Sequence, residues 1–409
     1  MRVLFINTVY GVGSTGKIVR DLETELTKKG HTVKVCYGRK TSVKSENAVQ
    51  VSSKFEMYVD AFLTRLTGLH GCFSPISTRK ITNEIDRFNP DIVHLHNIHG
   101  YYVNIYRLIT YLKKRGIRVV WTLHDELMFT GKCSYAYGCD KWRVECGQCP
   151  QIQEYPKSLF FDFSKLQFRW KKKCLKNIKD FCFVTPSKRL KERVESSILN
   201  SASCAVINNG IDITETFVVR EADRLRNALN IGDKKVVLTV TDDVFSDRKG
   251  IKEFCDLADM NSEQPLVFIV VGGVREDLQR DNILYIPKTA NQKELGEYYS
   301  LADVFVIPSK CDNFPTVCIE SLACGTPVIG FDAGGISETA PDEPIGKFVK
   351  TDDMQALNSC LHHFLSNPAN ERKEFSRKYA EEHYDKKTMV DRYIELYSKL
   401  ETHRKTDGQ

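Results

Sequence analysis

The feature that most limits how this chain can fold is a recurrence of short, almost unbroken apolar runs separated by helical stretches. The runs stand at 2–7, 32–36, 91–96, 118–123, 181–185 and 204–208, and again at 236–240, 266–272, 282–286, 304–308 and 327–331. A strand that is apolar on both sides needs cover on both faces, as in a parallel sheet with helices above and below. Between the runs, TGKIVRDLETELTKKG and NIYRLITYLKKRG have helical periodicity; in the second, Ile105, Leu108, Ile109 and Leu112 share one stripe. Strand–helix alternation with right-handed crossovers builds a doubly wound sheet, and the scheme starts afresh near residue 205. The fold class expected is α/β, two doubly wound Rossmann-like domains. The N-terminal one covers 1–205, with a cysteine-rich insertion at 131–150, and the C-terminal one covers 206–385. The terminal helical segment, 386–409, is expected to pack back on the first domain.

A length of 409 residues suits two cores better than one. With 42% hydrophobic and 27% charged residues, no large disordered share is expected. No apolar run approaches the ~20 residues that cross a bilayer, and the opening MRVLFIN runs straight into a strand, unlike a signal peptide. The expectation is a cytoplasmic protein, at most placed at the inner face of the membrane. Cys36, Cys182, Cys204 and Cys318 sit singly inside apolar runs, as small buried hydrophobes rather than disulfide partners. The net charge of +6 hides a split: residues 1–200 hold 34 Lys+Arg against 18 Asp+Glu, and the remainder 25 against 35. A basic half suits a phosphorylated substrate or an anionic membrane surface. No nucleic-acid-binding signature accompanies the charge, so no nucleic-acid partner is expected.

The loop YGVGSTGKIV has the Gly-x4-Gly-Lys spacing of a phosphate-binding P-loop, but Ile18 stands where a Ser or Thr must hold magnesium. The run DIVHLHN ends in His and Asn rather than in the Asp such enzymes need. What survives is a glycine-rich turn from a strand into a helix. It is either a site where backbone approaches a ligand or a tight turn with none.

The most specific stretch is ADVFVIPSKCDNFPTVCIESLACGTPVIGFDAGGISE, 302–338. A carboxylate at a strand's carboxyl end can accept both hydroxyls of a ribose, and a loop entering a helix can offer N–H groups to a sugar or phosphate. The pattern resembles the family-four retaining glycosyltransferases of the GT-B fold, in which two Rossmann-like domains face an interdomain cleft. Their acidic pair matches Asp312 and Glu320; ACGTPVI, VVGG (270–273), RKG (248–250), NNGID (208–212) and the early glycine loop match as well. Two departures stand out: the first acid is Asp, one methylene short, and Asp243 stands where many relatives carry an Arg.

The resemblance implies roles residue by residue. Glu320 would bind the donor ribose, and Asp312, Asn313, Phe314, Pro315 and Thr316, with Gly13 and Gly273, would meet the donor sugar and phosphates. Arg248 and Lys249 would hold the diphosphate and neutralise its charge as it leaves. No Asp-x-Asp stands where a metal-dependent transferase wants one, so the nucleotide-sugar is the one small molecule catalysis is expected to need. The family's site histidine has candidates in His94, His96, His99 and His124. His124, at a strand end and followed by Asp125, matches best; Gly11, Gly16, His96 and Asp125 complete the acceptor side. The implied activity is transfer of a hexosyl group to a sugar or lipid-linked acceptor in polysaccharide, capsule or glycolipid biosynthesis. The alternatives are another GT-B activity, such as a nucleotide-sugar epimerase, or a non-catalytic nucleotide-sugar-binding protein.

Two stretches lie outside that pattern. GKCSYAYGCDKWRVECGQCPQ places Cys133, Cys139, Cys146 and Cys149 within one turn-rich loop, ending in a Cys-x-x-Cys knuckle. Four thiolates so spaced are expected to hold a structural zinc, the competing readings being two disulfides or four free thiols. KLQFRWKKKCLKNIKD (165–180) interleaves Leu166, Phe168, Trp170, Leu175 and Ile178 with basic residues. It reads either as a membrane-surface helix or as a helix with one packed face and a Lys-rich outside.

Overall fold

The computed structural model describes residues 1–178, 180–274, 276–366 and 369–407. The chain divides into two compact units, Met1–Asn208 with the stretch from Met389 onward, and Asn209–Thr388. In the first unit the strands are β1 (Arg2–Asn7), β2 (Thr32–Tyr37), β3 (Ala48–Gln50), β4 (Ile92–Leu95), β5 (Arg118–Thr122), β6 (Phe181–Thr185) and β7 (Ser203–Val206). Its helices are α1 (Gly13–Lys28), α2 (Lys54–Thr67), α3 (Pro75–Phe88), α4 (Ile105–Arg115), α5 (Ser164–Cys174) and α6 (Lys188–Glu195). The seven strands run parallel in the order β3-β2-β1-β4-β5-β6-β7, so the strand order reverses between β1 and β4.

The unbroken apolar runs follow from how this sheet is covered. Successive side chains of a strand point to opposite faces. Leu4, Ile6, Val93, Leu95 and Trp121 meet Ile81, Ile85, Leu108 and Leu112 of α3 and α4 on one side. Val3, Phe5, Ile92, Val120 and Val184 meet Ile18, Val19, Leu22 and Leu26 of α1 on the other, together with Val390, Tyr393 and Tyr397 near the chain's end. At about 25 cal/mol per Å² of apolar surface, this two-sided burial dominates the unit's stability.

The second unit repeats the plan. Its strands are β8 (Lys235–Val240), β9 (Leu266–Val271), β10 (Ile283–Ile286), β11 (Val304–Ile307), β12 (Val328–Phe331) and β13 (Gly346–Val349). They alternate with α7 (Asp223–Ala228), α8 (Ile251–Asp259), α9 (Gln292–Leu301), α10 (Thr316–Ala323), α11 (Met354–Ser366) and α12 (Ala369–His383). The parallel order is β10-β9-β8-β11-β12-β13, with its reversal between β8 and β11. The last helix, α13 (Lys386–Asp407), leaves this unit and supplies the first unit's core with Val390, Tyr393 and Tyr397. β3 and β13 lie outside the apolar runs of the sequence: they are sheet-edge strands of three and four residues, mostly half-buried. Among the described residues no helix is long and apolar enough to cross a bilayer.

Candidate functional site

In an open parallel sheet, loops diverge at the strand-order reversal and leave a crevice at the carboxyl ends. At that point of the second unit, the loop after β8 brings Arg248 and Lys249 to the loop after β11. Lys249 Nζ lies 3.1 Å and Arg248 Nη1 3.5 Å from Asp312 Oδ2. Arg248 Nη1 also donates to the Cys311 carbonyl at 2.8 Å, and Lys310 N–H returns a bond to the Arg248 carbonyl at 2.8 Å. Gly250 makes the approach possible: its φ is +69°, and a Cβ there would run into the Pro308 carbonyl oxygen. Burial alone would raise the Asp312 carboxyl. The charges of Lys249 and Arg248, with bonds from Lys249 and the Asn313 N–H, outweigh burial and hold it below the usual carboxylate range.

The chain then enters α10. Asn313 and Phe314 are buried, Phe314 edge-on to Tyr384 at 5.9 Å, and the Asn209 amide donates to the Phe314 carbonyl at 3.2 Å. Pro315 precedes Thr316, the first residue of α10, so the first-turn N–H groups of that helix open beside the Asp312 loop. One turn further, the buried Glu320 accepts a 3.0 Å hydrogen bond from the Tyr299 hydroxyl. Gly272 and Gly273 bring the end of β9 close to Thr241 and Val244. The structure thus gathers Arg248, Lys249, Asp312 and the 313–316 loop, with Gly273 on the neighbouring strand's loop.

The equivalent reversal in the first unit lies between β1 and β4. Gly11 N–H bonds the Gly16 carbonyl at 2.8 Å, closing the turn into α1, and Gly13 has nothing within 4 Å of where a Cβ would stand. Gly16 is buried against Val9 within that turn. Lys17 is a residue of α1. At the ends of β4 and β5, His96 Nδ1 and His124 Nε2 lie 3.0 Å apart. Burial, with the nearby His99 charge, pushes His124 down to about 4 against the pull of Asp125, and burial lowers His96 well below its ordinary value. Both imidazoles are therefore neutral near pH 7. His99 Nε2 meets Asp125 Oδ2 at 2.6 Å and its Nδ1 meets the Tyr155 hydroxyl at 3.0 Å. His94 is engaged inward, with Tyr397 at 2.6 Å and Thr122 at 2.8 Å.

Two family models account for most of the chain. Glycosyltransferase Family 4 matches residues 15–215 and Glycosyl transferases group 1 matches 221–383. The chain belongs to the family 4, group 1 glycosyltransferases. A putative colanic acid biosynthesis glycosyl transferase of Escherichia coli is 24% identical over 98% of this chain and all of its own length. Among solved structures, sucrose-phosphate synthase from Thermosynechococcus elongatus superposes with a TM-score of 0.72 at 18% identity, covering 98% of this chain and 99% of its own. Anabaena HepE in complex with UDP gives 0.69 at 14% identity, covering 98% and 100%. At such identities these likenesses establish the GT-B fold.

The described residues lend no support to the expected zinc, and of the two readings of the basic helix they show the packed one. The four cysteines border one cavity of about 20 Å³, but among the described residues no three ligand side chains converge as a metal requires. Cys133 Sγ and Cys149 Sγ lie 3.8 Å apart, and their shared hydrogen bond holds the Cys149 thiol below its usual value. Cys146 instead accepts the Gly131 N–H at 3.1 Å. The loop is held by a buried lysine, Lys171 of α5, whose ammonium donates to the Leu127 and Thr130 carbonyls at 2.5 and 3.0 Å. The basic helix is the packed alternative: Phe168, Lys171, Leu175 and Ile178 are buried, and Trp170 lies edge-on to Tyr106.

Sequence reasoning missed two partners. Tyr299, bonded to Glu320, sits in an ordinary amphipathic helix and carries no local signal. The His99–Asp125 pair joins two loops; the sequence offered both residues as site candidates, and nothing in it paired them.

Proposed function

We propose that the chain moves a sugar from a nucleoside diphosphate sugar to a sugar or lipid-linked acceptor, with retention of anomeric configuration, in polysaccharide or glycolipid biosynthesis. The observation that carries this reading is the convergence of Arg248 and Lys249 on Asp312 at the strand-order reversal, beside the start of α10. Loss of a diphosphate leaving group demands cations and N–H groups placed in advance where negative charge develops. Lys249 and Arg248 supply the charge, α10 the N–H groups, and Glu320, steadied by Tyr299, a carboxylate for the ribose hydroxyls. On the first unit, the neutral His124, its ring fixed by His96, is suited to hold an acceptor hydroxyl. Two names support the class of reaction: the colanic acid relative, and a Campylobacter jejuni N-acetylgalactosaminyltransferase named for a diphospho-undecaprenol substrate, 24% identical over 48% of this chain.

A thermal-shift panel of UDP-, GDP- and ADP-sugars, followed by transfer assays and NMR of the product anomer, tests the reading. Lys249→Ala should lose on the order of 10²-fold or more in turnover while its melting temperature stays near that of the wild type. A folded Lys249→Ala enzyme with nearly full rate, or a product of inverted configuration, overturns it.

A further inference from the structure

Helix α2 is built inside out. Its buried side chains are Glu56, Asp60 and Thr64, whereas Phe55, Tyr58 and Phe62 are 79%, 73% and 65% exposed, with Val59 and Leu66 on the same stripe. At about 3.6 residues per turn the two sets face opposite ways. The buried polar face is fully engaged. The Glu56 carboxylate accepts the Ile76 and Ser77 N–H groups at 2.9 and 3.1 Å, at the start of α3, and Asp60 accepts the hydroxyls of Thr64 and Ser74. These bonds fix the rotation of the helix, so the aromatic stripe is held outward by design of the sequence rather than by slack packing.

A second element extends the stripe. The Leu159 N–H donates to the Arg65 carbonyl at 2.8 Å, and a Cβ on Gly68 would come within 2.6 Å of the Phe161 carbonyl oxygen. The loop is thereby pinned to the end of α2, with Phe160 70% and Phe161 52% exposed and Phe161 stacked on Phe163. Exposed Lys54, Arg65 and Lys157 border the two elements, and none of them has an ion-pair partner among the described residues. The patch lies in the half of the sequence that carries 34 basic against 18 acidic residues. Contiguous apolar surface of this kind marks an interaction site.

We infer that this aromatic patch docks the protein on an anionic lipid bilayer, its rings seated among the headgroups and its rim cations on lipid phosphates. Aromatic side chains ringed by Lys and Arg suit the membrane interface, where apolar and charged layers lie within one side-chain length. The inference draws on the proposed function only in that a lipid-linked acceptor would be met there; docking itself needs neither donor nor acceptor.

The test uses the full chain and sedimentation with vesicles of phosphatidylcholine alone or mixed with phosphatidylglycerol. Wild type should sediment with the mixed vesicles, less at high salt, and remain in solution with phosphatidylcholine alone. The triple variant Phe62→Ser, Phe160→Ser, Phe161→Ser should bind at least about tenfold more weakly, and Lys54→Gln with Arg65→Gln should lose the preference for anionic lipid. Thermal shifts with nucleoside diphosphate, unchanged in these variants, show that they fold and separate a failure of docking from a failure of the activity reading. Wild type left in solution with the mixed vesicles, or the triple variant binding them equally, overturns the inference. So does a wild-type dimer in solution that the triple variant dissociates, since a second copy would then cover the patch.

Discussion

Asp312 pairs with both Lys249 and Arg248, and on the proposed reading a diphosphate binding the same two cations would have to replace it. The shorter Asp side chain, a departure from the family's usual Glu, keeps its carboxylate within 3.1 Å of Lys249. Asp312→Asn keeps the shape and removes the charge, so the two cations lose their counter-ion. The free variant should be destabilised by roughly 1–2 kcal/mol, a few degrees in melting temperature. UDP or GDP should then stabilise the variant by more than it stabilises wild type, because binding no longer displaces a carboxylate. Paired thermal-shift titrations decide this; a smaller shift in the variant would mean that Asp312 contacts the ligand favourably instead of competing with it.

At the scale of elements, the proposed donor site depends on how closely the loop after β8 can lie on the end of β11. Gly250 sets that distance, with a left-handed φ and a hydrogen in place of a side chain that would strike the Pro308 carbonyl. Gly250→Ala should cost more than about 2 kcal/mol and move Lys249 away from Asp312, weakening nucleotide binding as well as stability. Gly13→Ala is the contrast: its φ is +63° but nothing lies within 4 Å of the new methyl, so only about 1 kcal/mol of backbone strain is expected. Denaturation midpoints of the two variants, with and without nucleotide, separate crowding from conformation. The same loops show what the sequence discloses. Most strands were legible because each wrote an apolar run, edge strands such as β10 (ILYI) included, whereas β3 (AVQ) and β13 (GKFV) mix in Gln, Gly and Lys and wrote none. Arg248, Lys249 and Asp312 were legible as residues, through their motifs. Their contact was not, since it is set by strand order across 63 positions of chain. The orientation of α2 was hidden for another reason: periodicity marks two faces and does not say which one is inside.

At the scale of the whole molecule, the chain's last helix is part of its first domain. Tyr397 and Tyr393 of α13 are fully buried against the first sheet, and their hydroxyls reach His94 Nδ1 at 2.6 Å and Thr122 Oγ1 at 2.8 Å. Tyr397→Phe leaves the buried His94 nitrogen unpaired and should cost about 1–3 kcal/mol. The readout is selective: Trp121, Trp142 and Trp170 all lie in the first unit, and the sequence holds no other tryptophan. Urea unfolding followed by tryptophan fluorescence should therefore register a substitution at Tyr397, 303 positions along the chain from the His94 it bonds. The same signal tests the histidine cluster. His94, His96 and His124 all have folded-state values below the ordinary 6.5, His124 at about 4, because burial disfavours the charged rings. Below pH 6.5 the unfolded chain binds protons that the folded chain refuses, so stability is complete above that pH and falls as pH drops toward 4. For His124 alone the loss amounts to about 3 kcal/mol across the window. A tryptophan-monitored midpoint that stays level from pH 7 down to 4.5 would show that these rings charge freely in the folded state; a steep fall as pH drops through that window is the expected result.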